Sequence, residues 1–166
     1  MCVNHGYMII IMEGMILFIN SSPNKNGNTY RIGEELLKEK EHDVLQMADY
    51  RISQYGQVFD DDEIKDVLKK IDECDVLVIG SPVYWYTVGG MLKTFIDRLY
   101  MLPEAEALRG KKLYLFAQGS APNQDTVKSI EFLSNRLSYL MGMELKRVIT
   151  DNSDGNEILS KMKIEV

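Results

Sequence analysis

A chain of 166 residues, 45% hydrophobic and 27% charged, can bury a sizeable core and fits one globular domain. Its formal net charge of −6 weighs against nucleic acid as the main partner. Its two cysteines, Cys2 and Cys74, are too far apart for a disulfide framework or a metal-binding spacing, which points to a reducing, cytoplasmic setting.

The first segment, residues 1–14, stands apart from the rest of the chain. Its apolar part, Tyr7 to Met12, is too short to span a bilayer, and it lacks the basic start and small-residue cleavage site of a signal peptide. We read it as an extension, or an upstream start, preceding a single domain over residues 15–166. His5 and His42 have no clustered ligands and read as surface residues.

Met15 opens an apolar run, Ile16-Leu17-Phe18-Ile19, with the β-branched and aromatic content of a buried strand. A polar turn spans Asn20 to Asn28, and a helix is predicted from near Thr29 to about Lys40. Strand, polar loop and helix start form a recurring anion site, because the first N–H groups of a helix lack internal partners and carry partial positive charge. The nucleotide P-loop frame is only half met: Ser22 replaces its first glycine and Asn28 its lysine, the residue that reaches the outer phosphates. Hydroxyls of Ser22 and Thr29, the amide of Asn28 and loop N–H groups suit one terminal monophosphate instead. The competing reading is a plain polar turn with Asn28 as N-cap.

A short second strand is predicted from His42 to Met47, then an aperiodic loop from Ala48 to Phe59. The acidic run Asp60 to Glu63 has the composition of a metal site, but it precedes a helical face, Ile64, Val67, Leu68, Ile71, and reads as its cap. Val76 to Ser81 is continuously apolar and predicts a strand buried on both faces, with Cys74 a packed thiol at its start. Leu92, Phe95, Ile96 and Leu99 mark another helix. Leu113 to Ala117 predicts the fourth strand, Asp125 to Met141 a helix, and Lys146 to Thr150 the fifth strand. Such alternation gives an α/β, three-layer sandwich on a five-stranded parallel sheet in order 2-1-3-4-5. Ligands then bind beyond the carboxyl ends of strands 1 and 3, where the loops richest in special residues fall.

Two stretches in this order resemble a known family. Ser21-Ser22-Pro23-Asn24-Lys25-Asn26-Gly27-Asn28-Thr29 is similar to the phosphate loop of the NAD(P)H-dependent FMN reductases and multimeric flavodoxins, of flavodoxin-like fold. Ser81-Pro82-Val83-Tyr84-Trp85, with Leu92-Lys93-Thr94-Phe95-Ile96-Asp97-Arg98, matches that family's second motif. The iron–sulfur flavoproteins are close relatives, but residues 50–73 hold no cysteine, so no cluster is expected. The resemblance implies FMN as cofactor. Ser22, Asn24, Asn26, Asn28 and Thr29 would lie at its phosphate, and Pro82, Val83, Tyr84 and Trp85 at the ring, with Tyr86 a weaker candidate. Gln118, Gly119 and Ser120 would lie at the ring's pyrimidine side. Asn24 stands where the family often has arginine, which removes a bidentate phosphate partner; Lys25 is the available substitute.

The implied activity is an FMN-dependent oxidoreductase taking electrons from NADPH or NADH and passing them to a small acceptor such as a quinone, azo or nitro compound. The rival is a flavodoxin-like electron carrier that takes no hydride directly; a third reading is a flavin-binding scaffold without turnover. No acid–base residue and no metal are expected, because the cofactor carries the chemistry. The family resemblance further implies a homodimer or homotetramer, with Met91, Tyr100, Met101 and Leu102 as candidate contacts, and no membrane partner. The tail after Asp151 is short, so one sheet face is expected to be thinly covered unless the extension or a second subunit covers it.

Overall fold

The computed structural model describes residues 14–166. The expected extension, apart from Gly14, lies outside the described residues, as do Cys2 and His5. Strands β1 (Ile16–Asn20), β2 (His42–Gln46), β3 (Val76–Tyr84), β5 (Lys112–Gly119) and β6 (Glu144–Asn152) form a parallel sheet in order β2-β1-β3-β5-β6. This is the expected topology. One short strand was not expected: β4 (Thr87–Val88) folds back antiparallel on the end of β3 and shifts the numbering of the strands behind it.

Side-chain alternation along the three central strands divides the core. Leu17, Ile19, Leu77, Ile79, Leu113 and Leu115 face helices α2 (Ile64–Asp72), α3 (Gly90–Arg98) and α4 (Gln124–Met141). Ile16, Phe18, Val76, Val78, Tyr114 and Phe116 face α1 (Asn28–Leu37) and α5 (Asn156–Lys161). Each fully buried Leu, Ile or Phe contributes roughly 1.5–3 kcal/mol relative to an exposed one. The strands between them are buried on both sides, so they read as continuous apolar runs.

The α1–α5 face is better covered than the short tail implied. Ile158, Met162 and Ile164 are all buried there, and the Glu165 N–H donates to the Tyr114 hydroxyl at 3.0 Å. The tail therefore adds to this face, with Met162 and Ile164 buried and Lys163 and Glu165 exposed.

The acidic run anchors the long loop before α2. Asp62 accepts from the Ile64 and Ser53 N–H groups and pairs with Arg98, while Glu63 accepts from the Arg51 N–H and Asp61 pairs with Arg51. Arg98, the last residue of the second motif, thus ties α3 to this loop. Among the described residues no group of three or more His, Cys, Asp or Glu is placed to hold a metal. Cys74 is buried and donates to the Ile71 carbonyl, and burial pushes its thiol up to about 11. His42 departs from the surface reading: it is half-buried, its ring bonded to the Lys40 carbonyl and to Glu34.

Candidate functional site

The chain runs outward from β1 to β2 and returns past β1 to β3, so the loops after β1 and β3 diverge at the carboxyl rim of the sheet. Backbone and side-chain bonds stitch them together. Ser21 donates twice to the Gly80 carbonyl, from its N–H at 3.0 Å and its hydroxyl at 2.7 Å. Gly80 is glycine because a Cβ there would lie 2.4 Å from the Phe116 ring and 2.8 Å from the Thr29 methyl. At the end of β5, Gly119 fits against Val83, whose Cβ would be 2.9 Å from any Cβ added to it. Gln118 reaches back to the first loop: its side-chain amide donates to the Thr29 hydroxyl at 2.9 Å. The three loops flagged in the sequence form one contiguous rim.

Within the first loop, short-range bonds fix the backbone. The Asn24 N–H donates to the Ser22 hydroxyl at 3.1 Å, and the Asn24 side-chain oxygen accepts from the Asn26 N–H at 3.2 Å. The Asn24 carbonyl accepts from the Gly27 N–H at 3.2 Å. Asn24, expected as a phosphate contact in place of arginine, spends its side-chain oxygen shaping the loop. Lys25 pairs with Asp49 beyond β2 rather than standing free, and both are about half exposed (48% and 50%), so the pair adds little to stability.

Helix α1 begins at Asn28, one residue earlier than expected, and its N-cap is Gly27, which has no side chain to satisfy the first N–H groups. Asn28, the cap expected in the plain-turn reading, lies instead at the first position of the helix. Asn28 is exposed in the first helical turn, beside Thr29, which is fully buried. Ser22 and Thr29 share a further property. Each hydroxyl oxygen already accepts a bond from inside the protein, from Asn24 and Gln118 respectively, and the hydrogen of each finds no acceptor among the described residues. Two buried hydroxyl hydrogens and an uncapped helix start are the donor set that one phosphate monoester takes.

The second loop is the β3–β4 hairpin. Pro82 is buried and Val83 half-buried, whereas Tyr84, Trp85 and Tyr86 are 50%, 92% and 61% exposed. Val83 pairs with Val88 and Tyr84 with Thr87, which leaves Trp85 and Tyr86 as a two-residue connection. Both have positive φ, 48° and 63°, the signature of a type I′ turn normally built from Asn and Gly. Bulky residues held there carry strain, and strain of this kind gathers where side-chain placement matters. In the third loop Gly119 is half-buried and Ser120 exposed. Three aromatic rings open to solvent beside a donor-rich loop fit a flat heterocycle carrying one phosphate.

Sequence reasoning missed two supports. Asn20, fully buried at the end of β1, donates to the Gln46 side chain at 2.7 Å and accepts from the Ser22 N–H at 3.2 Å. Ser81 accepts from the Gly89 N–H at 3.0 Å and closes the base of the hairpin. An amide ending an apolar strand was the available signal for the first. An apolar groove of about 460 Å³ between α3 and α4 includes Tyr100 and Leu140 but none of the three rim loops.

Comparison with known proteins places this geometry. The chain is 36% identical over 98 residues to an iron–sulfur flavoprotein of Archaeoglobus fulgidus, covering 52% of this chain and 49% of that protein. It therefore spans about half the length of that relative. It is 26% identical over 148 residues to YwqN of Bacillus subtilis, described as a putative NAD(P)H-dependent FMN-containing oxidoreductase, covering 79% and 81% of the two chains. Among solved structures, the NAD(P)H:quinone oxidoreductase from Methanothermobacter marburgensis superposes with a TM-score of 0.67 at 15% identity, over 89% of this chain and 90% of that one. That level of identity shows a shared fold. Residues 15–149 match the family model described as NADPH-dependent FMN reductase, a span containing all three rim loops, and the chain belongs to that family.

Proposed function

We propose that the chain is an FMN-dependent NAD(P)H oxidoreductase that delivers electrons to a small organic acceptor of the quinone, azo or nitro class. The observation that carries this reading is the pair of buried hydroxyls, Ser22 and Thr29, whose oxygens are bonded inward and whose hydrogens are left over beside an uncapped helix start. Bound FMN would supply the hydride-accepting and electron-donating chemistry. The protein's part is binding and orientation. Ser22, Thr29 and the N–H groups of Asn28 and Thr29 would hold the phosphate, with Asn26 and the Asn28 amide at the loop's outer side. Val83, Tyr84 and Trp85 would cover the ring, with Pro82 fixing the strand beneath them. Backbone donors around Gly119 and Ser120 would bond its polar edge.

The relatives' names support the acceptor class by analogy: one neighbouring structure is an FMN-dependent NADH-azoreductase from Bacillus anthracis in complex with FMN, at 12% identity. A second copy of the chain would complete the assembly. Tyr100 and Met101 are 64% and 82% exposed and Leu140 60%, an apolar face that a partner would cover. Met91 and Leu102, also expected there, are instead half-buried and packed on the core. Size-exclusion chromatography with light scattering tests this; a strict monomer removes the assembly from the proposal. No described helix is long and apolar enough to cross a membrane.

The deciding experiment mixes purified protein with FMN and then NADPH or NADH without oxygen. Loss of the flavin's visible absorption band within a turnover time, with recovery on adding benzoquinone, supports the oxidoreductase. FMN binding without bleaching by either nicotinamide favours the electron-carrier reading, and absence of FMN binding ends both.

A further inference from the structure

We propose that Gln118 is a positioning residue of the phosphate site, orienting the Thr29 hydroxyl so that its hydrogen is donated to the ligand's phosphate. The inference rests on the FMN reading and assigns Gln118 to the phosphate end of the site rather than to the ring. Gln118 ends the buried part of β5 and Thr29 lies in the first turn of α1, 89 residues away in sequence. Their side chains meet at 2.9 Å, with Thr29 0% and Gln118 8% exposed, so solvent does not compete for the bond.

The Thr29 side chain has little freedom. A threonine is stiff about χ1, and the Thr29 methyl is seated over Gly80, 2.8 Å from where a Cβ would stand. Another χ1 rotamer would take the methyl off Gly80 and the hydroxyl away from Gln118. A hydroxyl has one hydrogen and two lone pairs. Once the amide N–H of Gln118 occupies a lone pair, the hydrogen turns away from Gln118. When an anion accepts that hydrogen, the amide must present its N–H edge to Thr29. The pair is a relay: amide to hydroxyl, hydroxyl to phosphate. Glutamate at 118 would reverse it, because a carboxylate has only acceptors and would draw the Thr29 hydrogen to itself.

Flavin binding separates this role from a ring contact, because riboflavin has the same ring and no phosphate. Dissociation constants for FMN and riboflavin are measured by flavin fluorescence quenching in wild type, Gln118→Met, Gln118→Glu, Thr29→Val and the Thr29→Val/Gln118→Met double variant. We expect FMN to weaken about 10-fold in Gln118→Met and about 100-fold in Gln118→Glu, the range for lost bonds to a charged group. Riboflavin binding should stay within about twofold in both. In the Thr29→Val background, Gln118→Met should add nothing for FMN, because the two residues act through one bond. Riboflavin binding also verifies that each variant is folded. Should the Gln118 variants not fold, Thr29→Val against Thr29→Ser reads the same bond from its other end, with the preference for FMN over riboflavin reduced at least about 10-fold in the first and kept in the second.

Equal weakening of FMN and riboflavin would place Gln118 at the ring and overturn the proposal. No change in either, or full additivity in the double variant, would overturn it as well. If wild-type protein binds neither flavin, the functional reading itself fails and this inference with it; if wild type binds FMN tightly and riboflavin weakly, that reading stands whatever the variants show.

Discussion

The β3–β4 turn offers a direct test of whether stability has been given up for placement of the aromatic rings. Trp85 and Tyr86 both sit at positive φ, where an L-residue other than Gly, Asn or Asp costs roughly 1–2 kcal/mol. Replacing the pair by Asn-Gly, the favoured type I′ sequence, should recover about 2–4 kcal/mol of that strain. Two terms oppose the gain. Glycine loses more backbone freedom on folding, about 0.5–1 kcal/mol. Burial lost with the rings is small, because Trp85 is 92% and Tyr86 61% exposed. The net expectation is that the ligand-free Trp85→Asn/Tyr86→Gly protein is more stable by about 2 kcal/mol, or roughly 4–8 °C in Tm for a domain of this size. Flavin affinity should move the other way. Loss of an aromatic platform under a heterocycle costs about 1–3 kcal/mol, roughly a tenfold to hundredfold weakening. Urea unfolding of the ligand-free proteins and an FMN titration give both quantities. A variant no more stable than the parent refutes the strain argument. A stabilised variant that binds FMN as before shows that the strain serves something other than the flavin.

Three further perturbations test the contacts described above. Burial opposes ionisation of Asp62, but bonds from Arg98 and from the Ser53 and Ile64 N–H groups outweigh it and hold the carboxyl well below the usual carboxylate range. A folded value below the unfolded one means the stabilisation is whole above about pH 4 and lost as pH falls below it; Asp62→Asn should therefore cost about 3 kcal/mol at neutral pH, with the gap to wild type narrowing toward about pH 3 in urea melts. Asp49→Asn releases Lys25 and removes a carboxylate beside the first loop, so FMN should bind about threefold to tenfold more tightly at low salt, with the gain shrinking as salt is added. Gly33→Ala would place a methyl 2.0–2.6 Å from the Phe18 ring, so overpacking of about 3 kcal/mol should exceed the helix-propensity gain of about 1 kcal/mol, and thermal melts should show a net loss of about 2 kcal/mol.

The fold was legible where burial is two-sided. The central strands announce themselves as Ile16 to Ile19, Val76 to Ile79 and Leu113 to Ala117, since neither face can hold a polar residue. Three features were not legible, each for a physical reason. Pro82 reads as the end of a strand because it has no N–H, yet β3 continues through it to Tyr84 with Pro82 in register with Gln118. The hairpin lacks the Asn-Gly signal because its turn is strained, so β4 went unseen. The tail carries the right pattern, with buried Met162 and Ile164 alternating with exposed Lys163 and Glu165, but the alternation is too short to stand out from chance.

The site was legible as a set of residue types and not as a set of free donors. Ser21 and Ser22 are adjacent and chemically identical. The Ser21 hydroxyl is consumed by the Gly80 carbonyl, whereas the Ser22 oxygen accepts from Asn24 and keeps its hydrogen available. Asn24 turns its side-chain oxygen to the loop's own backbone, and Lys25 pairs with Asp49, so neither stands as a bare contact of the loop. Thr29 depends on a partner 89 residues away. Anion recognition counts hydrogens left over after the protein has satisfied itself, and that remainder is decided by which strand lies beside which. Because β5 lies next to β3 at the switch in strand order, Gln118 reaches the start of α1, and an ordinary threonine becomes a directed donor. The topology thus selects which of the loop's many polar groups keep an unused donor.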